Sequence, residues 1–367
     1  MRIAMIGSRG VPAREGGVER VVEALTAELT AAGHEVLVYS RRHYVGTSAY
    51  DGPGRRIITS GLRGKHLDAL THTATAFVDV LRRGVDVVHV HSPGPALWSP
   101  LAAMGRLPMV LTVHAPDWRR DKWSLPARWA LRGGLWMGMR MARVVTCVSQ
   151  PLAQELSQKF AREVLYVPNA APPSPQQPVG SDRVEAMGLT RDAYGLYVGR
   201  VVPEKRLDLL IRAWNEAGGQ WPLAVAGEVP DDRFGRRCRE LAGPGVKFLG
   251  PQFGDDLVQL YDNAGFVVHP SALEGMSLVL LEAAAFGKCI LAAATAENAC
   301  FLGDKALYFS LDDYADLSHQ ISRCISGAGM RQSRGFSAQR LVRDEMSWAA
   351  VARRMESLYD RAMFRCK

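Results

Sequence analysis

The stretch Phe266-Val-Val-His-Pro-Ser-Ala-Leu-Glu-Gly-Met-Ser-Leu-Val-Leu-Leu-Glu-Ala-Ala-Ala-Phe-Gly-Lys-Cys-Ile-Leu-Ala292 decides the fold. Residues 266–269 are a short apolar run of the kind that fits a buried strand. A turn-forming segment follows, then an apolar stretch over 277–286 that reads as a buried helix, then a second short strand at 289–292. Strand, helix and strand in so few residues make a βαβ unit, and such units build parallel sheets.

The same alternation extends both ways. Runs at 2–6, 36–39, 85–90, 109–113, 144–148 and 164–167 read as strands, and 18–32 as a helix closed by Gly33. Beyond the middle of the chain, runs at 193–198, 223–226 and 246–249 alternate with a helix over 206–217. Between the two series lies Pro168-Asn-Ala-Ala-Pro-Pro-Ser-Pro-Gln-Gln-Pro178. Proline fixes φ and removes a donor, so this segment is neither helix nor central strand. The expected organisation is α/β: two Rossmann-like doubly wound domains facing across a cleft, residues 1–168 and 181–346, joined by a Pro-rich linker at 169–180. Residues 347–367 form a terminal helix behind a Ser347 cap, able to pack on either domain, including back on the first. Ligands of such sheets bind at the carboxyl ends of strands, so the loops there are the place to look for chemistry.

A chain of 367 residues is too long for one ordinary core and comfortable for two. Hydrophobic content of 47% and charged content of 22% fit a soluble globular protein. The opening Met-Arg-Ile-Ala-Met-Ile-Gly7 lacks the apolar core of a secretory signal. Residues 276–294 are interrupted by Glu282 and Lys288, which argues against a membrane span. The six cysteines are scattered without a C-x-x-C pair, as expected of reduced thiols in the cytoplasm, and no zinc site is expected. A net charge of +8 directs attention to phosphorylated ligands or an anionic membrane surface. Nucleic acid is not expected, since basic and aromatic residues are not interleaved as in a binding platform and no zinc-finger spacing occurs.

Four strand-end segments carry candidate chemistry. In the first, Glu274 and Glu282 flank a helix start, where the amides of Gly275, Met276, Ser277 and Leu278 can face an anion. Glu274 is placed to accept hydrogen bonds from hydroxyl groups, and Glu282, deeper in, from a second pair such as those of a ribose. Two acids at this spacing also occur on ordinary helices; Gly275 and the preceding strand favour a binding role. In Tyr197-Val-Gly-Arg-Val-Val-Pro-Glu-Lys-Arg206, Arg200 can grip a diphosphate through two bonds and Lys205 acts as a point charge. Cations before a helix start oppose the macrodipole and call for an anionic partner.

The third segment, Ser8-Arg-Gly-Val-Pro-Ala-Arg-Glu-Gly-Gly-Val-Glu-Arg20, contains Gly16 and Gly17, which permit close backbone approach to a ligand. Its glycines do not follow the dinucleotide pattern G-x-G-x-x-G, which counts against a dehydrogenase. The fourth, Thr112-Val-His-Ala-Pro-Asp-Trp118, places His114 where it can bond a sugar hydroxyl or a phosphate, although a lone histidine is ordinarily structural. Two basic regions are candidates for acceptor or membrane contact. One holds Arg55, Arg56, Arg63 and Lys65; the other, 119–143, begins with Arg119 and Arg120 and mixes cations with Trp123, Trp129 and Trp136. An ordinary solvated helix face fits the latter pattern equally well.

Together these segments resemble the GT-B glycosyltransferases of family 4, the glycosyltransferase group 1 proteins, over nearly the whole chain. Glu274 and Glu282 match that family's E-x7-E motif, Arg200 and Lys205 its donor-diphosphate pair, and Gly16-Gly17 its amino-terminal glycine loop. The opening Gly7-Ser-Arg-Gly-Val-Pro12 and the run His114-Ala-Pro-Asp-Trp-Arg-Arg-Asp-Lys-Trp123 are similar to members that build bacterial exopolysaccharide, capsule or O-antigen. Ala170 replaces a frequent glycine after Pro168-Asn169, and residues 292–297 lack glycines often present there.

The resemblance implies a retaining transferase that moves a sugar from a nucleoside-diphosphate donor to a glycan or polyprenyl-linked acceptor, with the β-phosphate oxygen assisting the acceptor hydroxyl. Glu274 would orient the donor sugar and His114 would contact it near the reacting carbon. No cofactor and no metal are expected, because two cations and a helix start can stabilise the departing diphosphate and no Asp-x-Asp stands where a metal would be held. The expected location is cytoplasmic, with peripheral contact to the inner, anionic face of the membrane. A sugar-nucleotide epimerase of the same architecture and a nucleotide-sugar-binding protein without turnover are the competing readings.

Overall fold

Strands made almost wholly of Val, Ile, Leu and Met must be covered on both faces, and the two sheets of this protein are. The computed structural model describes residues 1–14, 16–46, 49–59, 67–120, 123–173, 179–217 and 221–364. Arg63 and Lys65 lie outside the described residues. The chain divides into two units, Met1–Asn169 with Trp348–Lys367, and Ala170–Ser347.

The first unit runs β1 (Arg2–Ile6), α1 (Gly17–Ala31), β2 (Glu35–Arg41), α2 (Arg42–Val45), β3 (Arg55–Thr59), α3 (Leu67–Arg83), β4 (Val87–His91), α4 (Ser99–Met104), β5 (Met109–Val113), α5 (Leu125–Met141), β6 (Val144–Cys147), α6 (Gln150–Phe160) and β7 (Leu165–Tyr166). Among the described residues its strands form one parallel sheet in the order β3-β2-β1-β4-β5-β6-β7. The order reverses between β1 and β4, and the carboxyl ends of these two strands form a topological switch point. They come close there: Gly7 has φ +116°, and a Cβ on it would meet the His91 carbonyl oxygen at 2.2 Å.

The second unit runs α7 (Asp182–Ala186), β8 (Gly195–Val198), α8 (Leu207–Glu216), β9 (Leu223–Ala226), α9 (Arg233–Leu241), β10 (Val246–Gly250), α10 (Gly254–Asp262), β11 (Phe266–His269), α11 (Leu278–Ala285), β12 (Cys289–Ala293), α12 (Ala296–Leu302), β13 (Leu307–Phe309), α13 (Tyr314–Ser326) and α14 (Ala328–Glu345). Its parallel sheet has the order β10-β9-β8-β11-β12-β13, with the switch point between β8 and β11. One face is covered by Leu210 and Trp214 of α8 and Ile321 of α13. The other is covered by Leu260 of α10, Leu281 and Ala284 of α11, and Ala338 of α14. The small residues Ala283, Ala284 and Ala285 let α11 lie close to its neighbours.

The terminal helix, α15 (Trp348–Phe364), belongs to the first unit. With α1 it covers one face of the first sheet, where Met355 and Leu358 join Ile3, Met5, Val22 and Val110. Polar contacts fix its position: Tyr359 Oη lies 2.8 Å from His89 Nδ1, and Glu356 lies 2.7 Å from His34. The opposite face is covered by Phe77 of α3, Met139 of α5 and Leu156 of α6.

Two strands lie outside the runs that read as strands in the sequence. Residues 55–59, part of a basic stretch, form the edge strand β3, and residues 307–309 form β13. The segment read as a linker is already part of the second unit at its start. Ala170 and Ala171 are buried, and the Ala171 amide donates to the Met346 carbonyl at 3.2 Å.

Candidate active site

The β8 and β11 loops of the second unit bring two sequence-identified residues together. Tyr197, fully buried, donates from Oη to the Arg200 carbonyl at 3.1 Å and holds the turn after β8. The chain then makes a tight helical turn at Pro203–Lys205. The Ala272 amide donates to the Glu204 carbonyl at 3.0 Å, tying this turn to the loop that follows β11. Across that tie, Lys205 Nζ forms an ion pair and hydrogen bond with Glu274 Oε1. The anionic partner that the sequence places outside the protein for Lys205 is, within the protein, Glu274. Arg206 is met in the same way by Asp208 and Asp312. Arg200 is exposed and makes no ion pair among the described residues.

His269, at the end of β11, lies behind the pair. Its Nε2 is 3.9 Å from Glu274 Oε1 and the side chain is 2% exposed. Burial, reinforced by the Lys205 charge and opposed by Glu274, pushes its pKa down to about 3, so the imidazole is neutral. Gly275 and Ser277 are buried beside Glu274, and Ser277 caps α11 with its backbone, leaving the helix start to first-turn amides. One turn into α11, Glu282 is 3% exposed and accepts a 2.7 Å hydrogen bond from Tyr261 Oη of α10. Tyr261 gave no signal in the sequence.

In the first unit the glycine loop is shaped from within. Gly16, φ +92°, precedes α1, and a Cβ on it would strike Glu19 Oε2 at 2.2 Å and an Arg9 nitrogen at 2.6 Å. Glu19, buried, accepts from the Arg9 amide at 2.9 Å and its Nε at 3.2 Å. Gly16 therefore makes room for this ion pair, while Gly17 is exposed at the first residue of α1.

His114 is not a lone histidine. The alternation of His89 and His91 along β4 places both on one sheet face, with ring centroids 4.0 Å apart. His91 Nδ1 lies 3.0 Å from His114 Nε2, and His91 Nε2 lies 3.4 Å from Met5 Sδ. Both nitrogens of His89 are also engaged, one by Tyr359 and the other, at 2.6 Å, by Thr112 Oγ1. Burial lowers the pKa of His114 to about 4 and of His89 to about 3, and pushes His91 well below the ordinary range with help from its two neighbours. All three imidazoles are neutral at physiological pH. Among the described residues, no group of three or more His, Cys, Asp or Glu is placed to share a metal ion.

The basic regions separate by environment. Arg120 is 8% exposed and paired with Asp117 at 2.8 Å, so it does not belong to a basic surface; the tight turn at Asp117–Arg119 draws it inward. Arg119 pairs with Glu155. Arg55 is exposed on the edge strand, and Arg56 stacks over Tyr50 at 5.2 Å. On α5, Leu125, Trp129 and Trp136 are exposed, with Arg132 over Trp129 and Arg140 over Trp136. A recess of 850 Å³ beside it is lined by Trp136, Arg140, Arg143, Lys159, Phe160 and Arg162. Arg162 caps the end of α5 through the Met139 and Ala142 carbonyls, so part of this charge serves the fold. Among the described residues no helix is long and apolar enough to cross a membrane.

Comparison with known proteins divides along the same lines as the fold. Residues 15–174 match the Glycosyltransferase Family 4 profile, and residues 193–327 match that of Glycosyl transferases group 1. The chain is 27% identical to glycogen synthase of Mycobacterium tuberculosis over 98% of its length and 94% of the relative's. It is 31% identical to D-inositol 3-phosphate glycosyltransferase of Salinispora arenicola, over 51% of this chain and 47% of that one. Sucrose-phosphate synthase from Thermosynechococcus elongatus superposes over both whole chains with a TM-score of 0.80 at 22% identity. HepE of Anabaena, solved in complex with UDP and glucose, covers 98% of this chain and 99% of its own with a TM-score of 0.78 at 17% identity. The shared architecture is the GT-B fold, a pair of parallel-sheet α/β domains.

Proposed function

We propose, from the premise that this chain belongs to the family 4, group 1 glycosyltransferases, that it moves a sugar from a nucleoside-diphosphate donor to a glycan or polyprenyl-linked hydroxyl with retention of configuration. The observation that carries this reading is the Lys205–Glu274 pair held between the β8 and β11 loops, with Arg200 exposed on the first of them. Each charge neutralises the other in a largely buried setting. A diphosphate gives Lys205 and Arg200 a new partner, and Glu274 then turns to the hydroxyls of the donor sugar. Glu282, oriented by Tyr261, accepts from further hydroxyls such as those of the ribose.

During transfer the bond from the anomeric carbon to the β-phosphate oxygen breaks and a bond to the acceptor oxygen forms on the same face. The acceptor proton passes to the departing phosphate oxygen. Arg200, Lys205 and the amides of Gly275, Met276, Ser277 and Leu278 stabilise the charge that develops there, work that requires neither a metal nor a cofactor. In the first unit, His114 supplies a neutral hydrogen-bonding group for a substrate hydroxyl. The structural neighbour solved with UDP makes UDP-sugars the first donors to test. The exposed Leu125–Trp129–Trp136 line with Arg132 and Arg140 supports contact with an anionic membrane, where a polyprenyl-linked acceptor would reside, and a role in bacterial cell-surface polysaccharide synthesis.

The test is consumption of UDP-, GDP- and dTDP-sugars in the presence of EDTA, with product configuration read by NMR. Transfer of one donor sugar with an unchanged anomeric configuration is expected. Formation of an epimer of the donor, an inverted product, or abolition of turnover by EDTA would each contradict part of the reading.

A further inference from the structure

Met5, His91 and His114 form a chain of contacts in which proton positions follow from chemistry. We propose that His91 is a positioning residue that holds His114 as its Nε2–H tautomer, so that His114 presents a bare Nδ1 to a substrate hydroxyl. A thioether sulfur has no proton to give, so the 3.4 Å contact to Met5 Sδ is made by His91 Nε2–H as donor. A neutral imidazole has one N–H, which leaves His91 Nδ1 as an acceptor. The nitrogen 3.0 Å away, His114 Nε2, must then be the donor. His114 Nδ1 therefore has no proton, and it makes no hydrogen bond among the described residues.

The neighbouring contacts form a separate chain. Thr146 Oγ1 donates to the Leu111 carbonyl at 3.4 Å, so at 2.7 Å it accepts from Thr112 Oγ1. Thr112 in turn accepts from His89 Nε2, and Tyr359 Oη donates to His89 Nδ1. His89 is thus satisfied on its own and places no demand on the His91 protons. Burial keeps all three rings neutral, so none carries a second proton.

A bare nitrogen accepts a hydrogen bond from a hydroxyl and repels the oxygens of a phosphate. The sequence left both partners open for His114; the geometry points to the hydroxyl. That consequence rests on the proposed transferase reading, whereas the tautomer does not.

The test uses the full chain with ¹⁵N-labelled histidine, reading imidazole nitrogen resonances at neutral pH. The expected spectrum shows His114 protonated on Nε2 and bare on Nδ1. Met5→Leu keeps the volume but removes the sulfur acceptor, and is expected to mix the tautomers of His91 and His114. His91→Phe removes the acceptor for His114 and is expected to mix its tautomers and lower kcat/KM for the donor about tenfold, with circular dichroism unchanged. Protonation of His114 on Nδ1 in the unmodified protein overturns the proposal, as does an unchanged His114 spectrum in both variants. The expected tautomer in a protein that consumes no nucleotide sugar would uphold the proton arrangement and contradict the transferase reading instead.

Discussion

Lys205 and Glu274 are paired across the loops that follow β8 and β11, with only 14% and 15% of their side-chain surfaces exposed. Sixty-nine positions apart in sequence, they meet because β8 and β11 are neighbours in the sheet and both loops leave its carboxyl edge. The pair has consequences for both stability and turnover.

Lys205→Ala and Glu274→Ala are each expected to lower sugar transfer by about a hundredfold or more. Each also leaves a mostly buried charge without its partner, at a cost of about 1–3 kcal/mol measured by urea unfolding. The double variant Lys205→Met with Glu274→Gln is expected to recover most of that stability while remaining inactive. Recovery of turnover along with stability would show that the pair is structural.

Tyr261→Phe removes the hydroxyl that donates to Glu282 at 2.7 Å and leaves the packing in place. Nucleotide binding, followed by titration calorimetry, is expected to weaken about tenfold, the loss of one hydrogen bond to a charged group. An unchanged Kd would separate Glu282 from the donor.

The legible part of this protein was its periodicity. Residues 2–6, 109–113, 223–226 and 266–269 are strands with the bounds that their apolar runs suggest. Arg55-Arg-Ile-Ile-Thr59 escaped notice because an edge strand needs little apolar surface and two arginines look like a solvated loop. In the site, Glu274, Glu282, Lys205 and Arg200 could be named from residue type and position after strands. Their mutual contacts could not, because pairing between loops depends on strand order. The His89-Val-His91 alternation was available as a signal, since period two puts both rings on one face. Nothing local marked Met5 as the partner of His91, or Tyr261 as the partner of Glu282.

Stability is expected to fall with acid in a specific window. The ordinary histidine value is 6.5, and burial holds His114 near about 4 and His89 and His269 near about 3. The native state therefore binds fewer protons than the unfolded chain between these values. The stabilisation is whole above about pH 6.5 and is lost as pH falls toward 4 and then 3. Over the full window His114 accounts for on the order of 3 kcal/mol, and His89 and His269 for on the order of 5 kcal/mol each. Melting temperature measured against pH is expected to drop below pH 6.5, and less steeply in His114→Asn. Equal slopes would mean that His114 is not held neutral by the fold.

The exposed tryptophans give a separate test. Trp129→Ala with Trp136→Ala is expected to lower flotation on vesicles containing anionic lipid severalfold, with donor binding unaltered. Flotation of the unmodified protein that does not depend on anionic lipid would remove the membrane contact.

The most direct measurement of the central claim is a thermal shift with UDP, GDP and dTDP, in EDTA, on the unmodified protein and on Lys205→Ala. One of the three is expected to raise the melting temperature of the unmodified protein by a few degrees, as linkage requires of a ligand bound to the folded state. The shift is expected to vanish in Lys205→Ala. If none of the three raises it, or if Lys205→Ala responds as the unmodified protein does, the assignment of Lys205 and its loop to a nucleoside-diphosphate donor is contradicted.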